Sequence, residues 1–241
     1  IDPEPENKPE SLVLSEGEEA PKAPSIDEAN LNMGQQSIVK LMKEHHFKPT
    51  NQAPDSDRAM IADLGAATSK KKDSENIWEV EYAHGAKYTG PIVEDPNSTN
   101  FEQPLVAGKF WFPNGDQYEG TIGARASGTY THSNGVVYKG QFFKLAKSGQ
   151  GTQTFPHVHS YSGMFKNNVY NGKGRFEFAN GDVYQGNFKA GRRNNIGTYT
   201  FKGGEVAVGD WKDDLLHGKA QYQFNNGQKV KSAFESSTLK L

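Results

Sequence analysis

The sequence predicts an all-β protein, an elongated twisted antiparallel sheet of consecutive β-hairpins, because one short unit recurs along most of it. A mostly aromatic position returns every 20 to 30 residues, most often after 23. In six of the seven units a glycine stands three residues before this position, and in six another glycine stands two residues after it. A fixed period of this length indicates repeats that stack on their neighbours. The recurring positions are Tyr88, Tyr118, Tyr138, Tyr161, Tyr184, Ala207 and Val230.

Charge divides the 241 residues into two parts near residue 75. Residues 1–75 hold 15 acidic and 9 basic side chains, whereas residues 76–241 hold 14 acidic and 18 basic ones. The overall charge of -2 argues against a nucleic-acid partner, since such proteins usually carry a clearly basic stripe. The chain has no cysteine, which excludes disulfides and a thiolate nucleophile. No apolar run is long enough to predict a membrane-spanning segment.

Residues 1–75 are predicted to form an acidic, proline-rich, extended tail, because a leader with so few apolar side chains cannot offset its ordering entropy. A helix is predicted near residues 34–47, and residues 57–64 could form a second short one. We expect the leader to lie on neighbouring proteins, whereas the helix could contact either the repeats or a partner. One face of that helix would carry Ile38, Leu41 and Met42.

The hairpin loops of residues 76–235 are predicted to contain three residues. In the clearest unit, two alternating segments flank Asn180-Gly181, a strong hairpin signal. A two-residue loop would turn Phe176 away from Tyr184, whereas a three-residue loop places the two rings opposite each other. The three-residue loop gathers the aromatic side chains on one face, so we predict a type I turn followed by a left-handed glycine that forms a bulge.

The same register places an aromatic or aliphatic residue opposite the recurring position in six of the seven units, with Gln153 opposite Tyr161 in the fourth, and in five units it places a glycine opposite a glycine. Facing glycines leave a gap into which a neighbouring aromatic ring can fold. A lone hairpin is marginal in water, so the burial depends on stacked neighbours. The predicted glycine pairs are Gly108–Gly120, Gly128–Gly140, Gly151–Gly163, Gly174–Gly186 and Gly197–Gly209.

The pattern Asn-Gly-x-x-Tyr-x-Gly-x-Phe/Trp, followed by Gly-x-Gly/Ala-x-Tyr/Phe-x-Phe, resembles membrane occupation and recognition nexus (MORN) repeats. The resemblance covers about residues 76–235, some seven hairpins, and leaves 236–241 as a C-terminal end. It implies a sheet with an aromatic-lined groove, in a protein that acts as a scaffold, adaptor or assembly subunit. A phospholipid-binding role has also been proposed for the family. The chain departs from the pattern at Gln153, Ala207 and Val230, and in an insertion at about residues 91–105.

No catalytic, cofactor or metal site is predicted, so the chain is not expected to be an enzyme. His157 and His159 lie in a predicted hairpin turn with no acidic or thiol partner nearby. Gly149-Gln-Gly151 and Gly172-Lys-Gly174 look like fragments of phosphate loops, but neither leads from a strand into a helix. An unrecognised enzyme site is the weakest of three functional hypotheses.

The first hypothesis is a non-catalytic scaffold or assembly subunit that binds other proteins of a large complex and could also self-associate. A thin sheet does not cover its own apolar face, so an uncovered aromatic stripe would be an interface. The expected partner-binding residues are Tyr118, Tyr138, Tyr161, Tyr184 and Trp211 on the repeats, with Ile38, Leu41 and Met42 on the tail helix.

The second hypothesis is a peripheral membrane adaptor that binds an anionic phospholipid surface through basic loops. The cations of these loops are Lys144, Lys147, Arg192 and Arg193. The expected location is intracellular, on the cytoskeleton or axoneme, or peripheral to an organelle membrane complex if Ile1 follows a cleaved targeting segment.

Overall fold

The computed structural model describes residues 67–72, 77–91, 107–121, 125–144, 146–235 and 238–240, which form an open antiparallel sheet of 16 strands. Each strand pairs with the strands before and after it in the sequence, so the sheet consists of consecutive hairpins. At about 4.8 Å between strands, the sheet is roughly 70 Å long in the stacking direction. No helix occurs among these residues.

The first five strands have five or six residues, the next ten have seven to ten, and the last has three. They are β1 (Ala67–Lys72), β2 (Ile77–Tyr82), β3 (Lys87–Pro91), β4 (Ala107–Trp111), β5 (Gln117–Thr121), β6 (Arg125–Thr131), β7 (Val137–Phe143), β8 (Ala146–Phe155), β9 (His159–Lys166), β10 (Val169–Phe178), β11 (Val183–Lys189), β12 (Arg192–Thr200), β13 (Val206–Lys212), β14 (Leu215–Gln223), β15 (Lys229–Glu235) and β16 (Thr238–Lys240).

The predicted register is confirmed in all seven repeat hairpins. Phe176 pairs with Tyr184 and Gly174 with Gly186, as the three-residue loop requires. The predicted glycine pairs are all present. The remaining recurring positions pair as Val80–Tyr88, Phe110–Tyr118, Tyr130–Tyr138, Gln153–Tyr161, Tyr199–Ala207 and Tyr222–Val230.

The loop chemistry also agrees with the prediction. The Gly181 N–H donates to the Phe178 carbonyl at 2.9 Å, and Gly181 has a φ of 90°. Val158 replaces this glycine in the fourth unit, and a β-branched residue does not readily adopt a positive φ. There the positive φ, 60°, belongs to His157, one residue earlier, as in a type II turn.

The connections at the other end of the strands were not predicted. They are two-residue turns with positive φ at both positions, as in a type I′ turn: Asn167-Asn168, Ala190-Gly191 and Asp213-Asp214. Beside each turn the second strand carries two extra residues, so its register shifts relative to the first. These bulges return the chain to the register of the glycine pairs in every unit.

The sheet extends beyond the predicted repeat region at both ends. Strand β1 lies in residues predicted as tail and pairs with β2, and β16 lies in the predicted C-terminal end. The composition concealed β1 because Lys70, Lys71 and Lys72 resemble a solvated charge run, although lysine is common on edge strands. The predicted tail helices with Ile38, Leu41 and Met42, and the insertion between β3 and β4, lie outside the described residues.

Glycines also face each other between adjacent hairpins, and these glycine pairs provide the space that the recurring tyrosines occupy. Tyr138 lies across the pair formed by Gly140 and Gly151, and its hydroxyl donates to the Gln141 carbonyl at 2.7 Å. The same bond to the carbonyl three residues later recurs at Tyr88, Tyr118, Tyr161 and Tyr184. Each ring is therefore held flat over the backbone with its polar atom satisfied.

Adding one methyl group to a glycine of such a pair should destabilise the array. In Gly151→Ala the new Cβ would lie 2.5 Å from the Tyr138 hydroxyl and 2.7 Å from Cε2, so the ring must leave its place. We expect a loss of about 1–3 kcal/mol in the free energy of unfolding, measured by denaturant titration. Gly203→Ala is the control, because its Cβ would meet only the flexible end of Glu205. Equal stability of the two variants would contradict this packing.

Candidate functional site

The five aromatic residues expected to bind a partner lie inside the sheet's own packing. Tyr118, Tyr138, Tyr161, Tyr184 and Trp211 are each at most 2% exposed. A ring buried to this extent has no area left for a partner, so these side chains carry out the stacking role alone. The expectation of an uncovered aromatic stripe is corrected accordingly.

The rings cover one another by edge-to-face contacts between neighbouring units. Tyr161 meets Phe165 and Phe188 at 5.1 Å between centroids, and stacks on Tyr170 at 3.9 Å. Burial raises the pKa of Tyr118 to about 12 and moves the pKa values of Tyr138 and Tyr161 further above the ordinary range. These hydroxyls therefore stay protonated and act as hydrogen-bond donors.

A second series of inward side chains recurs every 23 residues and was missed from the sequence. Lys147, Tyr170, Arg193 and Leu216 occupy equivalent places just after the two-residue turns, and all four are buried. The carbonyl of each of the first three accepts a hydrogen bond from the second residue of the following turn. The 23-residue spacing was a usable signal, but the four residue types share no chemistry that would reveal it.

Arg193 lies at the centre of an aromatic cage. Its guanidinium carbon is 4.8 Å from the Trp211 ring and 5.7 Å from the rings of Phe178 and Tyr184. Its Nε donates to Asp214 Oδ1 at 2.9 Å, and Nη2 donates to the Asp214 carbonyl at 2.9 Å. The Arg193 N–H also donates to Asp214 Oδ1 at 2.9 Å, and the Asp214 N–H donates to the Arg193 carbonyl at 3.1 Å. A buried cation in this setting fixes one turn against the next.

The four cations proposed to bind lipid do not form one surface. Lys144 and Arg192 are exposed, whereas Lys147 and Arg193 are buried. The Lys147 ammonium lies 5.5 Å from the centre of the Tyr138 ring. Lys147 and Arg193 are each the second residue of their strand, and alternation directs this side chain inward. The four-cation lipid site is corrected to two exposed cations, Lys144 and Arg192.

Two buried carboxylates at the loop ends act as structural anchors. Tyr199 donates to Asp182 Oδ2 at 2.7 Å, and the Lys202 N–H donates to Oδ1 at 2.8 Å. Asp116 repeats this arrangement with Tyr130 and the Ser133 N–H, each at 2.8 Å. Burial alone would raise the pKa of Asp116, but the hydrogen bonds together outweigh it and lower the pKa. Each carboxylate thus ties one loop to the next.

His159 replaces this carboxylate in the fourth unit and is part of a ring stack. Its imidazole lies between Phe155 at 4.2 Å and Phe176 at 4.8 Å. Burial lowers the pKa of His159, because the charged form would lose its hydration. His157 is exposed in the turn. Within the described residues no group of three or more His, Cys, Asp or Glu could hold a metal ion, and none forms a helix able to cross a membrane.

The outer face, opposite the tyrosines, presents the exposed apolar side chains of the described sheet. On this face, paired side chains of successive strands form one row that crosses the sheet, and Val208 is the single apolar residue in that row. That row runs through Glu79, Thr89, Lys109, Glu119, Thr129, Lys139, Thr152, Ser162, Arg175, Gln185, Thr198, Val208, Gln221 and Lys231. Exposed apolar side chains elsewhere on the sheet include Trp111, Phe143, Met164, Ile196 and Leu215.

The repeat geometry agrees with a comparison against protein families. The family model of the MORN repeat matches residues 161–183, 184–206 and 208–229. The matches are three consecutive units of the sheet. The matched segments begin at Tyr161 and Tyr184, two of the tyrosines that lie across glycine pairs. The Arg193–Asp214 cage therefore lies within the matched MORN units.

Two solved structures from Drosophila melanogaster resemble this chain, and no curated protein matches it. The first is the SAS-4 (dCPAP) TCP domain in complex with a proline-rich motif of Ana2 (dSTIL), with 13% identity over 69% of this chain and 90% of that chain, and a TM-score of 0.46. The second is the TCP10c domain of Sas-4, with 12% identity over 69% and 98%, and a TM-score of 0.42. At these values neither likeness supports an inference about function.

Removal of the Arg193 guanidinium from its aromatic cage should lower the stability of the folded sheet. We expect Arg193→Ala to lower the free energy of unfolding by about 3–5 kcal/mol, because it removes the buried guanidinium that neutralises the Asp214 carboxylate, together with its two side-chain hydrogen bonds to Asp214. Arg192→Ala is the matched control, since the adjacent side chain is exposed and should change stability by less than about 0.5 kcal/mol. Denaturant unfolding of both variants tests this, and similar losses would refute the cage.

His159 should make the folded sheet less stable in acid. Its folded pKa is depressed, so the unfolded chain binds the proton first as pH falls below about 6.5, and stability declines from there toward the folded pKa. The slope for this one proton is at most about 1.4 kcal/mol per pH unit. His159→Phe keeps the stack and should remove this part of the pH dependence in unfolding titrations. His157→Asn, in the exposed turn, should retain it; an unchanged profile in His159→Phe would exclude this source.

Proposed function

We propose that the chain is a non-catalytic scaffold or assembly subunit, with the outer face of the sheet as its partner-binding surface. The observation that carries the proposal is that one face of the sheet is buried and the other is exposed. The side chains of the aromatic face are buried against one another, whereas the outer face presents an unbroken row of side chains from β2 to β15. A long, internally locked surface is suited to holding several protein segments in fixed positions.

The absence of catalysis is part of the proposal. In the described residues several buried charged groups form structural bonds: Asp182 anchors a loop, and Arg193 and Asp214 join two turns. Elevated tyrosine pKa values arise from burial in a packed interior and not in a cleft open to substrate. Such perturbed groups accompany structural networks as well as active sites, and here the geometry favours the structural role.

The exposed apolar side chains near the middle of the sheet support a protein partner. Phe143 is 44% exposed and Met164 is 39% exposed, on β7 and β9. Aromatic side chains and methionine are enriched in the centres of protein interfaces. An intracellular, cytoskeleton-associated or organelle-peripheral location, and a contribution of Ile38, Leu41 and Met42, remain predictions of the sequence.

The scaffold proposal is tested by isolating the tagged full-length chain from its own cells after mild cross-linking. We expect it in an assembly far larger than 26.6 kDa, with at least one partner in fixed ratio. The double variant Phe143→Ser and Met164→Ser should lose that partner at least about tenfold, because the apolar contact is removed. Val158→Ser, an exposed apolar loop residue, is the control. A monomer without a stoichiometric partner, or equal recovery from variant and control, would refute the proposal.

Flotation with vesicles containing phosphatidylserine tests the membrane hypothesis separately. The two exposed cations, Lys144 and Arg192, are fewer than the clusters of four to eight that typically recruit a protein to anionic lipid. We therefore expect no salt-sensitive binding that depends on Lys144 and Arg192 together. Binding that disappears in a variant with both cations reversed to glutamate would favour the membrane adaptor instead.

A further inference from the structure

The outer face of β12 to β15 carries a groove whose chemistry the repeat packing does not explain. The groove has a volume of about 590 Å³ and includes Ile196, Val208 and Ala233, with Lys219 and Lys231 beside them. Ile196 is 66% exposed and Val208 is 39% exposed. Neither contributes to the tyrosine face, and Val208 interrupts a transverse row that is otherwise polar.

A second cleft adjoins the groove and adds more positive charge. It has a volume of about 620 Å³, shares Asp210 with the groove, and is lined by Lys189, Arg192 and Lys212. The cations thus border the apolar residues on two sides. We call the two openings together the basic groove; its lining holds five cations, Lys189, Arg192, Lys212, Lys219 and Lys231, against two carboxylates, Asp210 and Asp213.

The basic groove has the charge of a binding surface for an acidic segment. All five cations belong to exposed residues, and none forms an ion pair with a carboxylate of the described residues. Unpaired charges of one sign around apolar side chains favour a ligand with acidic groups on both sides of an apolar centre. An apolar floor alone would accept many segments, whereas the flanking charges select among them.

We propose that the basic groove binds residues 10–19 of the same chain. This segment reads Glu-Ser-Leu-Val-Leu-Ser-Glu-Gly-Glu-Glu, so it places three successive apolar residues between acidic ones. Leu12, Val13 and Leu14 contact Ile196 and Val208, and the glutamates face the lysines. The sequence alone favoured neighbouring proteins as the site for this leader; the exposed cations of the outer face indicate an occupant within the chain.

The tether between the leader and the sheet permits this contact. Roughly 48 residues separate Glu19 from Ala67, enough to span about 160 Å when extended. The basic groove lies about twelve strand spacings from β1, or about 58 Å. A covalent tether whose extended length exceeds the span makes the contact intramolecular and raises the local concentration of the leader, so a weak contact suffices.

The contact is tested on the full-length chain with a carbodiimide, which joins carboxylates directly to lysines, followed by mass spectrometry. We expect Glu16, Glu18 and Glu19 to cross-link within one copy to Lys219, Lys231, Lys189 and Lys212. The yield should fall at least about fivefold in 0.5 M salt, because screening weakens exposed charge pairs. Mixing copies with and without ¹⁵N separates cross-links within a copy from those between copies. Cross-links mainly between copies, or spread evenly over Lys87, Lys109 and Lys139, would overturn the proposal.

Two matched variants distinguish this surface from general charge attraction. Lys219→Glu with Lys231→Glu should reduce the leader cross-links to Lys189 and Lys212 at least about fivefold. Lys139→Glu with Lys166→Glu makes the same charge change elsewhere on exposed residues and should leave them unchanged. Leu12→Ser with Leu14→Ser changes only the leader, so it should lower the yield without altering the unfolding midpoint. Equal yields from all three variants would refute the site, whatever partners the outer face binds.

Discussion

The packing of one tyrosine ring across two glycines is the contact on which the rest of this sheet depends. A single hairpin has too little apolar surface to persist in water. Where Gly140 faces Gly151, however, the backbone is bare enough for the Tyr138 ring to lie directly on it. The ring edge then meets Phe142 of its own strand and Phe165 of the next unit, both at 5.0 Å between centroids. Each unit thus completes the burial of its neighbour, and stability is a property of the array and not of any one hairpin.

The second inward series shows how much freedom this framework allows. The same place accepts Lys147, Tyr170, Arg193 and Leu216, because the walls around it are aromatic faces. A ring face accepts either a cation or an apolar group. The polar head still needs a partner, and at Arg193 the partner is the second residue of the next turn, Asp214. Arg193 and Asp214 are therefore linked by charge, whereas the equivalent turn residue beside Tyr170 is Gly191, and the buried Tyr170 hydroxyl has no hydrogen-bond partner among the described residues.

The face that the aromatic side chains occupy, the strand register and the loop length could be derived from the sequence, because all three follow from local rules. Asn180-Gly181 fixes a turn, and alternation around it then determines which residues oppose each other. The inward direction of Lys147 and Arg193 could not be derived, because it depends on a two-residue turn and a bulge that no distinctive residue marks. Ala190, with a φ of 48°, is an unusual residue for such a turn. Strand β1 escaped notice for a related reason, since its lysines satisfy an edge without any apolar pattern.

The burial of the aromatic face changes where function must be sought. A side chain that the repeat packing requires, such as Tyr184, is accounted for by stability alone. An exposed apolar side chain that does not contribute to the repeat packing needs another explanation, such as contact with a binding partner. Ile196 and Val208 meet both conditions, and they lie among exposed cations. The departures from the repeat rule on the outer face are therefore more informative about binding than the recurring residues that reveal the fold.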